Sequence, residues 1–150
     1  MTCRHPAPWN HLAEVVLGDP RVGSYIGDMP HTWAGASLVN AVIAMLLRES
    51  GGQLVLFDGA PEKWFRDGQG VTLKNVPTYF GKLDLTARAV GRRLVVDVGD
   101  GVRPPGGFDL RWPLAGMPSP VSADGQSIAA GPSGCTLPPG TRQIVAEWPE

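Results

Sequence analysis

Hydrophobic and polar positions along this chain follow two rhythms that meet at a glycine pair. From Trp33 to Ser50 the sequence WAGASLVNAVIAMLLRES is apolar at nearly every position and leaves Ser37, Asn40 and Arg48 for a wet face. That run predicts one long apolar helix over Trp33–Ser50. Thr32 stands as its N-cap, since a hydroxyl accepts from an orphan backbone N–H of the first turn. Gly51 and Gly52 stop it. A helix that is apolar almost all round must be covered almost all round. The rest of the chain reads as strands and turns, so the cover is expected from helices of a larger protein, upstream of Met1, or from a partner chain. The run is too short and too interrupted to cross a bilayer, which takes about 20 apolar residues.

After the glycine pair the period changes to alternation. Strands are predicted at Gln53–Asp58, Val71–Val76, Lys82–Val90, Arg93–Val98, Gly107–Trp112, Ser119–Val121 and Ile144–Trp148, with weaker candidates near Ser127 and Cys135. Turn signals separate them: DG at 58–59, GQG at 68–70, GRR at 91–93, GDG at 99–101, ADG at 123–125 and PPG at 138–140. Leu83, Leu85, Ala87 and Ala89 alternate with Lys82, Asp84, Thr86 and Arg88, so one face is buried and one wet. Leu94, Val96 and Val98 repeat the pattern after the turn, which makes 82–98 a hairpin. The sequence EKWF at 62–65 reads as one helical turn. Many short strands at regular spacing predict a mainly β fold: an antiparallel β-sandwich preceded by one long apolar α-helix. The expected division is an N-terminal loop and terminal helix over 1–50 and a sandwich over 51–150.

The N-terminal stretch adds little order. Met1 to Asn10 is Pro-rich and without period, His11 to Leu17 suits a short helical turn, and Val22 to Met29 is a loop. With Arg4, Pro6 and Pro8 and no apolar core, this start does not read as a signal peptide. The 20 glycines and 15 prolines punctuate apolar runs and so fit a turn-rich β domain. A net charge of −1 without clustered Lys or Arg argues against nucleic acid and membrane surfaces as partners. Cys3 and Cys135, the two cysteines, give neither a disulfide framework nor metal spacing. His5 and His11 beside Cys3 fit no known metal site. No cofactor motif is present.

Segment order brings a family into view. GDMPHTW (27–33) with the apolar helix, LVLFDGAPEKWF (54–65), VTLKNVPTYFGKLDLTARAVGRRLVVDV (71–98), PPGGFDLRWPL (104–114) and LPPGTRQIVAEWP (137–149) follow one another. Together they resemble the C-terminal end of bacterial (α/α)6-toroid glycoside hydrolases of the α-L-rhamnosidase-like type. The resemblance implies that the helix is the last of a toroid and that a β-sandwich domain follows it. It also implies hydrolysis of a glycosidic bond by paired carboxylates. Neither carboxylate matches a residue here, so no catalytic residue is assigned. The chain is expected to be an accessory region that packs against an upstream catalytic helical domain and lines part of its sugar cleft. The alternatives are a stand-alone carbohydrate-binding sandwich, or an interaction protein that self-associates through the helix.

Asp28, His31 and Trp33 are the candidate substrate-binding residues. Asp and His bond sugar hydroxyls, and an indole stacks on a pyranose face. The competing structural roles are a turn for Asp28 and core packing for Trp33. Arg21 and Tyr25 on the preceding loop are better read as parts of a solvated loop than as members of the same rim. Asp58 and Glu62 form a weaker carboxylate pair, better read as a turn former and the start of a short helix. Trp64, Phe65, Tyr79 and Phe80 offer an aromatic platform, a seal between domains or core filling, while Trp112 and Trp148 read as core or interface.

Overall fold

A computed structural model describes residues 12–15, 17, 19, 21, 27, 30–66, 68 and 70–149. The chain forms two compact units, Met1–Ala44 and Met45–Glu150. The first unit carries most of helix α1, Thr32–Leu46. Residues 12–15 hold no helical turn, contrary to the expectation for His11–Leu17. Instead the segment is tied down by backbone bonds from Gly27 N–H to Val15 O and from His31 N–H to Leu12 O.

The helix ends four residues earlier than Trp33–Ser50 predicts. Leu47–Ser50 is strand β1, paired antiparallel with β2 (Gln53–Leu56) so that Leu47 faces Leu56 and Ser50 faces Gln53. Gly51 and Gly52 form the two-residue turn between them, with φ of 56° and 83°. Two successive positive φ angles suit the right-handed twist of a hairpin and are open to glycine without a Cβ penalty. The glycine pair is therefore a hairpin tip, and the helix stops where strand pairing takes over the backbone hydrogen bonds.

The second unit is mainly β and sandwich-like. One sheet has the strand order β1-β2-β6-β9, with β6 at Phe108–Arg111 and β9 at Gly134–Leu137. The other comprises β3 (Val71–Thr78), β4 (Gly81–Val90), β5 (Arg93–Val98), β7 (Val121–Ala123), β8 (Gln126–Ser127) and β10 (Gln143–Glu147). Its order is β3-β4-β5-β10-β7-β8. Among the described residues all pairings are antiparallel except β2 with β6, which run parallel with Leu54 opposite Phe108. The long crossover between those two strands is filled by β3, β4 and β5.

Alternation decides which face is buried. Leu83, Leu85 and Ala87 on β4, Leu94, Val96 and Val98 on β5, and Ile144 and Ala146 on β10 lie inside. Phe108 and Leu110 on β6 and Cys135 and Leu137 on β9 supply the inner face of the other sheet. On β2 alternation fails, since Leu54, Val55, Leu56 and the following Phe57 are all buried. Phe57 has a φ of 65°, which turns its ring back toward the core. There it meets Phe65 edge to face at 5.0 Å. Phe65 comes from the one-turn helix α2, Lys63–Arg66, which lies against β4. On β3 the register shifts between Leu73 and Val76. Asn75 in that bulge has a φ of 53° and donates its N–H to Asp84 Oδ1 at 2.8 Å.

Candidate functional site

The loop before α1 holds the residues that the sequence singles out. Asp28 and Tyr25 lie outside the described residues, as do Cys3, His5 and His11. His31 precedes the first helical residue, and its Nδ1 accepts the Ala34 N–H at 3.3 Å. Its carbonyl accepts the first helical bond, from Gly35 N–H at 3.0 Å. His31 is thus the N-cap of α1, and Thr32, expected in that role, is the first residue of the helix. An imidazole caps as a hydroxyl does when its unprotonated nitrogen reaches the third helical N–H.

A groove of about 580 Å³ runs along this end of α1, lined by Leu12, Pro30, His31, Gly35, Leu38 and Val39 among others. Trp33 is not part of it. Its indole is 78 % exposed, so it neither fills core nor joins His31 around one cavity. Arg21 pairs with Asp19 at the surface, 3.7 Å apart.

Both carboxylates of the DGAPE segment are already engaged. Asp58 Oδ2 accepts from Arg48 Nη2 at 2.8 Å and from its Nε at 3.0 Å. That ion pair joins β1 to the loop after β2. Glu62 accepts from Arg66 Nε through one oxygen and from the Ala115 N–H, at 3.3 Å, through the other. The Arg66 hydrogen bond first, and then the Ala115 N–H, hold its carboxyl below the usual glutamate range. A carboxylate so held stays ionised at neutral pH, whereas a catalytic acid needs a raised pKa.

The aromatic candidates disperse. Phe65 is fully buried, Tyr79 is 91 % exposed, and Trp64 and Phe80 are half-buried. Trp112 and Trp148 meet edge to face at 5.9 Å. Each indole N–H is satisfied by a carbonyl, Gly131 O at 2.9 Å and Gly116 O at 3.2 Å respectively. They clamp the loops 113–118 and 128–133. No three His, Cys, Asp or Glu side chains converge among the described residues.

A second cleft, in the second unit, lies where the sequence names no site. It measures about 810 Å³ and opens between β8 and β9, the ends of the two sheets, with the 128–133 loop joining them. Asp109 and Arg111 sit two apart on β6, so both project from the outer face. Arg111 Nη2 donates to Asp109 Oδ2 at 2.7 Å, and its Nη1 lies 3.5 Å from Ser133 Oγ. Arg111 Nε is enclosed and has no partner among the described residues. The Cys135 thiol, buried at the cleft, is pushed up to about 11 by its burial and then by the Asp109 charge. The available signal was the FDLR alternation, in which two opposite charges share a face. What completes the cleft is distant in sequence.

No family model, curated protein or solved structure matches the chain.

Proposed function

We propose that the chain is a non-catalytic β-sandwich module that packs through α1 against a helical domain, in the manner of the accessory sandwich of toroid glycoside hydrolases. The observation that carries this reading is the state of α1. Its only buried residue is Leu46, while Trp33, Leu38, Val39 and Val42 are exposed at 78 %, 38 %, 57 % and 37 %. Apolar surface taken from water contributes about 25 cal/mol per Å². Covering a stripe of such residues favours association, and neighbouring helices have the shape to do so.

Two further observations support a non-catalytic role. Asp58 and Glu62 are each occupied by an arginine, and the Glu62 carboxyl is held below its usual range. A free-standing sugar platform needs a coplanar row of exposed rings, whereas Phe65 and Trp148 are buried and Tyr79 stands exposed.

The test uses the purified chain. A panel of aryl glycosides is expected to show no hydrolysis above buffer. Binding of a hydrophobic dye is expected to fall in Val39→Lys and Val42→Lys, with the sandwich melting transition unchanged. Turnover that one carboxylate substitution abolishes would overturn the reading. So would collapse of the sandwich in both lysine variants, since the helix would then belong to its core.

A further inference from the structure

The cleft between β8 and β9 contains an unpaired strand edge, and its hydrogen-bonding groups can be assigned. Among the described residues strand β9 pairs only with β6 in its sheet, and no strand lies on its other edge. Cα partners are Phe108 with Leu137, Asp109 with Thr136, Leu110 with Cys135 and Arg111 with Gly134. The Trp112 N–H donates to Ser133 O at 3.1 Å. Bonded and non-bonded pairs alternate along an antiparallel ladder. Leu110–Cys135 and Phe108–Leu137 are therefore the bonded pairs. Gly134 and Thr136 point their peptide groups the other way, into the cleft. Gly134 O bears this out, since it accepts the Gly131 N–H at 2.8 Å on that side. The Thr136 N–H, the Thr136 carbonyl and the Gly134 N–H are left without a backbone partner among the described residues.

We propose that this cleft accepts an extended peptide segment of another protein as an added strand on β9. A residue placed opposite Thr136 exchanges both N–H···O bonds with it. Backbone recognition of this kind is how exposed sheet edges bind peptides. Size favours one strand. In a sheet a residue occupies roughly 3.4 by 4.8 by 10 Å, about 160 Å³, so the cleft has room for about five residues. Ser127–Gly131 also line the cleft, which leaves less room beside β9 for the edge of a second folded sheet than for a single segment. Pro138 carries no N–H and ends the ladder, so the recognised stretch is short.

The lining also sets a side-chain pattern. The peptide residue opposite Thr136 shares the outer face with Thr136, Asp109 and Arg111, and a short polar side chain fits there. Its two neighbours turn to the other face, beside buried Cys135 and Leu137 of β9, where a β-branched apolar side chain fits. The preferred segment alternates apolar and small polar residues.

The probe is a fluorescein-labelled heptapeptide of alternating valine and threonine, titrated into the full chain and read by anisotropy. Saturable binding is expected. N-methylation of the threonines is expected to weaken it at least tenfold, because their N–H groups face β9, and N-methylation of the valines much less. Thr136→Pro removes the edge N–H without touching the ladder to β6 and is expected to cost at least tenfold in affinity. Ala129→Trp, on the exposed rim, fills the cleft with the same result and serves if Thr136→Pro does not fold. No saturable binding, equal effects of both methylation patterns, or unchanged affinity in the folded variants would overturn the proposal. A concentration-dependent dimer that Thr136→Pro abolishes would also overturn it, since a second copy would then occupy the edge.

Discussion

Replacing Leu85 by alanine opens a gap in the middle of the β3-β4-β5 ladder. Leu85 is 2 % exposed and lies between Leu73 on β3 and Val98 on β5. Truncating a buried leucine costs about 2–5 kcal/mol, with the larger values where neighbours cannot close the gap. Here both flanking strands are held by ladder bonds, so collapse is restricted and the expected loss is about 3–4 kcal/mol. At roughly 4 °C per kcal/mol for a domain of this size, the melting midpoint should fall by about 12–16 °C. Arg88, on the same strand, faces Val95 and points outward, so Arg88→Ala should stay within about 0.5 kcal/mol. Urea unfolding followed by tryptophan fluorescence measures both, and similar slopes in the two variants show that the folded and unfolded states are comparable. Equal losses at the two positions would refute the assignment of inner and outer faces. A loss under about 1 kcal/mol at Leu85 would mean that the cavity is refilled.

Other expectations concern single contacts. Gly134→Ala drives a Cβ into the Leu110 carbonyl oxygen, so β9 must shift; a loss of about 1–3 kcal/mol is expected in the same urea assay. Glu62 should titrate below its ordinary value of about 4.5 in a carboxyl NMR experiment, and Arg66→Ala should move it back up. Because that pKa is depressed on folding, the associated stability is present above the unfolded value and lost as pH falls through the folded one. In a Cys3→Ser background Cys135 should resist a thiol reagent at pH 8 until urea unfolds the chain, because its pKa near 11 and its burial keep it a closed thiol.

Much of the β architecture is legible as alternation. Arg93–Val98 has the same bounds in sequence and structure, and the 82–98 hairpin carries its leucines on the expected face. EKWF contributes the helical turn from which Phe65 enters the core. The end of the long helix was not legible, because Leu47 is as good a helix former as Leu46 and only pairing with Leu56 separates them. The capping role passed from Thr32 to His31, since an N-cap is fixed by which side chain reaches the third N–H, one residue either way. The parallel pairing of β2 with β6 leaves no local trace. The cleft was invisible for a related reason: Asp109 and Arg111 meet Ser127, Ser133 and Thr136 only after two sheets have placed them.

That parallel pair has a consequence for how the chain assembles. Gln53 Nε2 donates to Gly106 O across 53 positions, beside the start of the β2–β6 ladder. The β4–β5 hairpin closes over a two-residue loop at Gly91–Arg92. Loop closure must come before a distant contact is rewarded, so near-neighbour hairpins form ahead of distant parallel strands. The hairpins β4–β5 and β1–β2 close early, and the joining of β2 to β6 waits until residues between them have folded. Substitutions in Leu94 or Val96 should then slow refolding, while those in Phe108 or Leu110 should mainly speed unfolding. The strand pair that closes the core last is also the one whose loosening releases it first.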